Sequence, residues 1–106
     1  MPRALTIIIP TKNRAPLIAG LLAGLRNLDG LARIQPQIVF ADNASKDETW
    51  KILQSAAPTF PVPLATVKVA DRGKSAAINQ AVQAANGTTL AFLDDDVIPD
   101  QRWLEA

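Results

Sequence analysis

The stretch GKSAAINQAVQAANGTTLAFLDDD, residues 73–96, decides the fold. Its first part is rich in alanine and reads as a helix, with Gly87 placed to stop it. TTLAFLD, residues 88–94, follows as a β-rich apolar run and reads as a strand. The strand then runs into three consecutive carboxylates, Asp94, Asp95 and Asp96. A helix that turns directly into a strand is half of a βαβ unit.

The same alternation extends towards the N-terminus. ALTIII, residues 4–9, is apolar and β-branched, the pattern of a strand buried on both faces. Residues 16–28, PLIAGLLAGLRNL, set Leu17, Leu21, Leu25 and Leu28 at helical spacing as a core face, with Pro16 suited to a first turn. PQIVFAD, residues 36–42, is a second buried strand. SKDETWKILQSAA, residues 45–57, reads as a helix whose Ser45 and Glu48 match a capping box. LATVKVA, residues 64–70, is a third strand, and PDQRWLEA, residues 99–106, begins a further helix. Strands alternating with helices require right-handed crossovers, so the sheet is mostly parallel. The expected fold is α/β, a Rossmann-like three-layer sandwich, in one domain over residues 1–106.

Composition narrows the chemistry. The 106 residues are 48% hydrophobic and carry 11 basic and 10 acidic side chains, a net charge of +1. That balance fits a globular core and gives no general affinity for nucleic acid. There is no cysteine and no histidine, so a metal must sit on oxygen ligands. ALTIII is too short for a membrane span, which needs ~20 residues, and lacks a signal-peptide layout. A cytoplasmic location is expected, with membrane association left to a longer protein.

In an open parallel sheet, ligands bind beyond the carboxyl ends of the strands. Four loops lie there: PTKNR, ADNASKD, DRGK and DDDVIPD. They set Lys12, Arg14, Arg72 and Lys74 against Asp42, Asn43, Asp47 and Asp94–Asp96. Basic and acidic groups around one cleft suit a ligand with phosphates and a cation, Mg²⁺ or Mn²⁺. In an extended segment Asp94 and Asp96 share a side, and a divalent cation relieves their repulsion. The competing reading makes the three aspartates turn-formers and N-terminal helix acids.

Three blocks together carry a resemblance: LTIIIPTKNRAPLIAGLLAGL, IVFADNASKDET and GKSAAINQAVQAANGTTLAFLDDDVIPDQRWLE. The chain resembles the N-terminal, donor-binding half of a family 2 glycosyltransferase of the GT-A fold, over about residues 4–106. The resemblance implies that Pro10, Thr11, Asn13 and Arg14 line the nucleotide pocket. It implies that Asp42 and Asn43 meet the ribose and base, where an Asn can still accept from a uracil N3–H. A UDP-sugar is the favoured donor. DDD matches the family's DxD-type motif, with Asp96 as direct metal ligand beside Asp94, and with Asp94 and Asp95 also near the ribose. The cofactor is Mn²⁺ or Mg²⁺. One departure is Ile78, where the family often has a basic residue; Lys74 and Arg72 are the nearest substitutes.

The implied activity is transfer of a sugar from a nucleotide-diphosphate donor to an acceptor. The resemblance places the catalytic base beyond Ala106, so the chain by itself is expected to be an inactive, truncated half. An exposed sheet edge would then invite self-association. Three rival readings are an aspartyl-nucleophile phosphatase, a nucleotidyltransferase, and a nucleotide- or metal-binding module without catalysis. The phosphatase motif normally opens its fold, and the nucleotidyltransferase opens with a Gly-rich loop that IIIPTKNR lacks. Trp50, Trp103, Phe40 and Phe92 are expected in the core.

Overall fold

The computed structural model describes residues 4–70 and 73–105, with backbone alone at Lys74 and Glu105. Among the described residues four strands form one sheet: β1 (Leu5–Thr11), β2 (Gln37–Asn43), β3 (Leu64–Val69) and β4 (Thr89–Phe92). Their spatial order is β3-β2-β1-β4, and every pairing is parallel. The helices are α1 (Ala15–Arg26), the short α2 (Leu31–Ile34), α3 (Thr49–Ala56) and α4 (Lys74–Ala84).

Chain order explains the layering. The chain steps outward from β1 to β2 to β3, then crosses back so that β4 lands on the far side of β1. Right-handed crossovers running in opposite directions put their helices on opposite faces. One face buries Ile18, Leu21, Leu22 and Leu25 of α1 and Leu53 of α3 against Ile7, Ile9, Ile38 and Phe40. The other packs Ala77 and Ala81 of α4 against Ile8, Val39 and Ala41. The alternation along β1 and β2 feeds both cores, as continuous apolar strands require.

Several expectations need correction. Leu17 is 46% exposed; the buried stripe of α1 runs through Ile18 instead. The helix expected from residue 45 starts at Thr49, and Ser45 and Glu48 form no capping box. The segment after residue 99 makes a 3₁₀ turn at Trp103–Glu105. Trp103 packs on the larger core, whereas Trp50 is half-buried under Lys68, whose Nζ is 5.2 Å from the ring centroid. Phe40 is fully buried, but Phe92 is 54% exposed. Its register partner is Ile8 on the α4 side, and α4 packs on β1, β2 and β3. The edge position of β4 therefore leaves Phe92 and Leu90 uncovered.

Gly87 does not stop α4, which ends at Ala84 with an extended cap at Ala85. Its role is close approach. A Cβ there would lie 2.6 Å from the Thr6 backbone N and 2.7 Å from the Leu5 carbonyl carbon. The Gly87 N–H donates to Thr6 Oγ1 (2.8 Å), and Thr6 Oγ1 donates to Gln37 Oε1 (2.9 Å). Gln37 Oε1 also accepts from Asn86 N (2.9 Å). This buried network fixes where β4 begins, and hence where the aspartates after it fall.

Candidate active site

The sheet order reverses between β1 and β4, and a crevice opens there at the carboxyl ends of the strands. A cleft of about 250 Å³ lies at this end, lined by Pro10, Thr11, Lys12, Arg14, Asn43, Ala77, Asp94 and Asp95. Its volume is below the ~300–1,000 Å³ of sites that enclose a drug-sized ligand. A ligand of that size would lie partly outside it.

Of the residues expected here, the fold brings Pro10, Thr11, Arg14, Asn43, Asp94 and Asp95 to the cleft. Asn13 is exposed and engaged with the β2–α3 loop rather than lining the cleft. Asp42 is wholly buried beneath it, with Oδ1 accepting from Ser45 N (3.1 Å). Asp96 is exposed beside it. β4 ends at Phe92 and the chain turns at Asp95–Asp96, so strand alternation does not continue through the aspartates. Arg72 and the Lys74 side chain lie outside the described residues. Lys12, expected among the basic groups around the cleft, lines it. One lining residue escaped the expected site: Ala77 is a small residue on the buried face of α4 whose role depends on packing.

The electrostatics are mixed. Arg14 Nε lies 3.3 Å from Asp95 Oδ2, joining the loop after β1 to the loop after β4. Among the described residues, three buried side-chain oxygens lack a hydrogen-bond partner: Thr11 Oγ1, Asp42 Oδ2 and Asn43 Oδ1. All three sit at the carboxyl ends of β1 and β2, where Thr11 and Asp42 are register partners. Buried polar atoms are normally paired, so unsatisfied ones in one place mark a spot where a ligand or water belongs. Backbone strain gathers here too. Asn13 (φ 52°) and Ala44 (φ 55°) are left-handed non-glycine residues in these two loops.

Oxygen donors for a cation are present but sparse. Among the described residues, no group of three or more acidic side chains could hold a metal ion. With Asp95 engaged by Arg14, the donor set fits a cation that takes its remaining ligands from phosphates, the usual arrangement for Mg²⁺.

The family model described as Glycosyl transferase family 2 matches residues 6–106. The chain belongs to glycosyl transferase family 2. Among its relatives, the glycosyltransferase AglE of Haloferax volcanii is 29% identical over 100 residues, covering 94% of this chain and 33% of that protein. A PGL/p-HBAD biosynthesis glycosyltransferase of Mycobacterium bovis is 35% identical over 94 residues, covering 86% of this chain and 34% of the relative. Among solved structures, the mannosyltransferase PcManGT from Pyrobaculum calidifontis, in complex with GDP-Man and Mn²⁺, superimposes with a TM-score of 0.83 at 31% identity. That match covers 95% of this chain and 31% of PcManGT. TarS of S. aureus in complex with UDP shares the fold, with a TM-score of 0.80 at 24% identity, covering 95% of this chain and 30% of TarS. The chain thus spans about a third of the length of these relatives. No helix among the described residues is long and apolar enough to cross a membrane.

Proposed function

We propose that this family 2 domain binds the nucleotide-diphosphate sugar donor, together with Mn²⁺ or Mg²⁺, for a protein that transfers the sugar to an acceptor. The observation that carries this reading is the cleft at the β1/β4 switch point. There Lys12 and Arg14 face Asp94 and Asp95, next to buried polar oxygens without partners.

The roles follow from chemistry. Arg14 and Lys12 supply positive charge for the diphosphate. Asn43 and Thr11 offer hydrogen bonds to the nucleoside, and Asp42 anchors that corner through Ser45. Asp95 is paired with Arg14, and the cation is assigned to Asp96 together with Asp94. A divalent cation would stabilise the negative charge developing on the departing diphosphate. Uridine diphosphate remains the favoured nucleotide. PcManGT, similar at 31% identity and bound to GDP-Man and Mn²⁺, makes GDP the second one to test.

Titration calorimetry of UDP and GDP with and without Mn²⁺ tests the reading. Binding should need the metal, and Asp96→Ala should weaken it. Equal affinity in the wild type and Asp96→Ala, with Mn²⁺ present, would remove Asp96 from the site. Failure of both nucleotides to bind would remove the donor reading.

A further inference from the structure

The loop after β1 is held by side chains of a different loop. Three successive backbone N–H groups, those of Asn13, Arg14 and Ala15, donate to Ser45 Oγ (2.9 Å), Thr49 Oγ1 (2.9 Å) and Asp47 Oδ2 (3.1 Å). In return, Lys46 N donates to Asn13 Oδ1 (2.7 Å). The Asp47 carboxylate also accepts from Thr49 N (2.9 Å) and from the Thr49 hydroxyl. A hydroxyl has one proton. Giving it to Asp47 leaves the Thr49 oxygen to receive the Arg14 amide.

Two consequences follow. First, α1 has no cap from its own N-cap residue, Arg14. Asp47 serves the first turns of both α1 and α3 from outside, one carboxylate oxygen to each. Second, the amides of residues 13–15 are all occupied by side chains. A phosphate in the cleft cannot be cradled by these amides, as it would be in a glycine-rich phosphate loop. Past Asn13 the loop acts through side chains, Arg14 above all, and Arg14 must be aimed. Its backbone is fixed by Thr49 at one end, while its Nε reaches Asp95 across the cleft.

We propose that Asp47, acting through Thr49, is a positioning residue for donor binding. It locks the left-handed turn at Asn13 so that Arg14 points over the aspartates. This rests on the donor reading above, and the test separates the two. UDP and GDP affinities with Mn²⁺ are measured by calorimetry for the wild type, Asp47→Ala, Asp47→Asn, Thr49→Val and Thr49→Ser. Val62→Ala is the comparison, because Val62 is buried just ahead of β3, at the opposite end of the sheet. Amide hydrogen exchange of Arg14 and Ala15 is followed in the same samples by NMR.

Asp47→Ala and Thr49→Val should each weaken nucleotide binding roughly tenfold, the scale of one misplaced charge-assisted contact. Thr49→Ser should bind as the wild type does, because it keeps the hydroxyl. Asp47→Asn, which keeps one acceptor, should lie between and covers the case in which Asp47→Ala does not fold. Val62→Ala should lower stability without changing affinity. Wild-type affinity in Asp47→Ala, or an equal loss in Val62→Ala, overturns the proposal. If the wild type binds neither nucleotide, the donor reading fails and the exchange data decide the clamp. Faster exchange at Arg14 and Ala15 in Asp47→Ala and Thr49→Val, but not in Val62→Ala, supports it. Unchanged exchange overturns it.

Discussion

Replacing Gly87 by alanine should strike the fold and the site together. The added Cβ would sit 2.5 Å from Thr6 Oγ1, 2.6 Å from Thr6 N and 2.7 Å from the Leu5 carbonyl carbon. Ordinary contacts between such atoms begin near ~3.5 Å, so one strand must move by roughly 0.9 Å. The obstacle is the backbone of β1, bonded on both sides to β2 and β4, and it cannot swing away as a side-chain tip would. Overpacking of this kind costs about 1–3 kcal/mol. Losing the Gly87–Thr6 hydrogen bond adds about 0.5–1.5 kcal/mol. The reduced freedom of the unfolded chain returns about 0.4–1 kcal/mol. The net loss centres on about 2.3 kcal/mol, or a fall in Tm of about 9–18 °C for a domain of this size. Urea and thermal melts followed by Trp fluorescence measure it. Gly73→Ala is the contrast: Gly73 has φ 90° and ψ 174° with open space around it, so backbone strain alone applies, about 1–3 kcal/mol. A shift of β4 also carries Asp95 away from Arg14, so nucleotide affinity should fall in folded Gly87→Ala. A stability loss under about 0.5 kcal/mol would show that the strands separate freely, and the close-approach argument would be wrong.

Gly24→Ala should separate stability from binding. The helix gains about 0.5–1 kcal/mol from alanine, while the new Cβ, 2.7 Å from Ile98 Cγ2, displaces a side chain that is already 64% exposed. Losing its remaining contact costs a similar amount, about a third of a full side-chain burial. Melting should be unchanged while Mn²⁺-dependent nucleotide affinity drops, because Ile98 follows the aspartates; unchanged affinity would disprove that link. Acid should loosen the β1–α1 loop. The Thr49 hydroxyl, followed by backbone N–H groups, holds the Asp47 carboxyl below its ordinary value of 3.8. A depressed folded value means stability present above 3.8 and lost as pH falls through the lowered value. Urea midpoints measured from neutral pH downward should therefore fall more steeply for the wild type than for Asp47→Asn, and parallel curves would refute it.

What the amino-acid sequence determined by itself was the sequence of elements and the end of the sheet that carries chemistry. Strand and helix signals are local: the apolar runs at residues 4–9 and 36–42 and the period along α1 need no partner to be legible. Parallel pairing follows from their alternation, and with it the placing of PTKNR and DDD at one edge. Tertiary structure decided whatever depends on partners far along the chain. Ser45 reads locally as the cap of its own helix, but its oxygen serves Asn13, 32 positions away. Phe92 is as apolar as Phe40, yet one lies on an edge strand beyond the reach of α4 and the other between two neighbouring strands. Gly87 reads as a helix stop, and only contact with β1 shows why a side chain cannot be tolerated there. The aspartates were visible as a cluster. The pairing of Asp95 with Arg14 across 81 positions was not, because periodicity reports which face a residue occupies, while ion pairs and hydrogen bonds depend on which strands become neighbours.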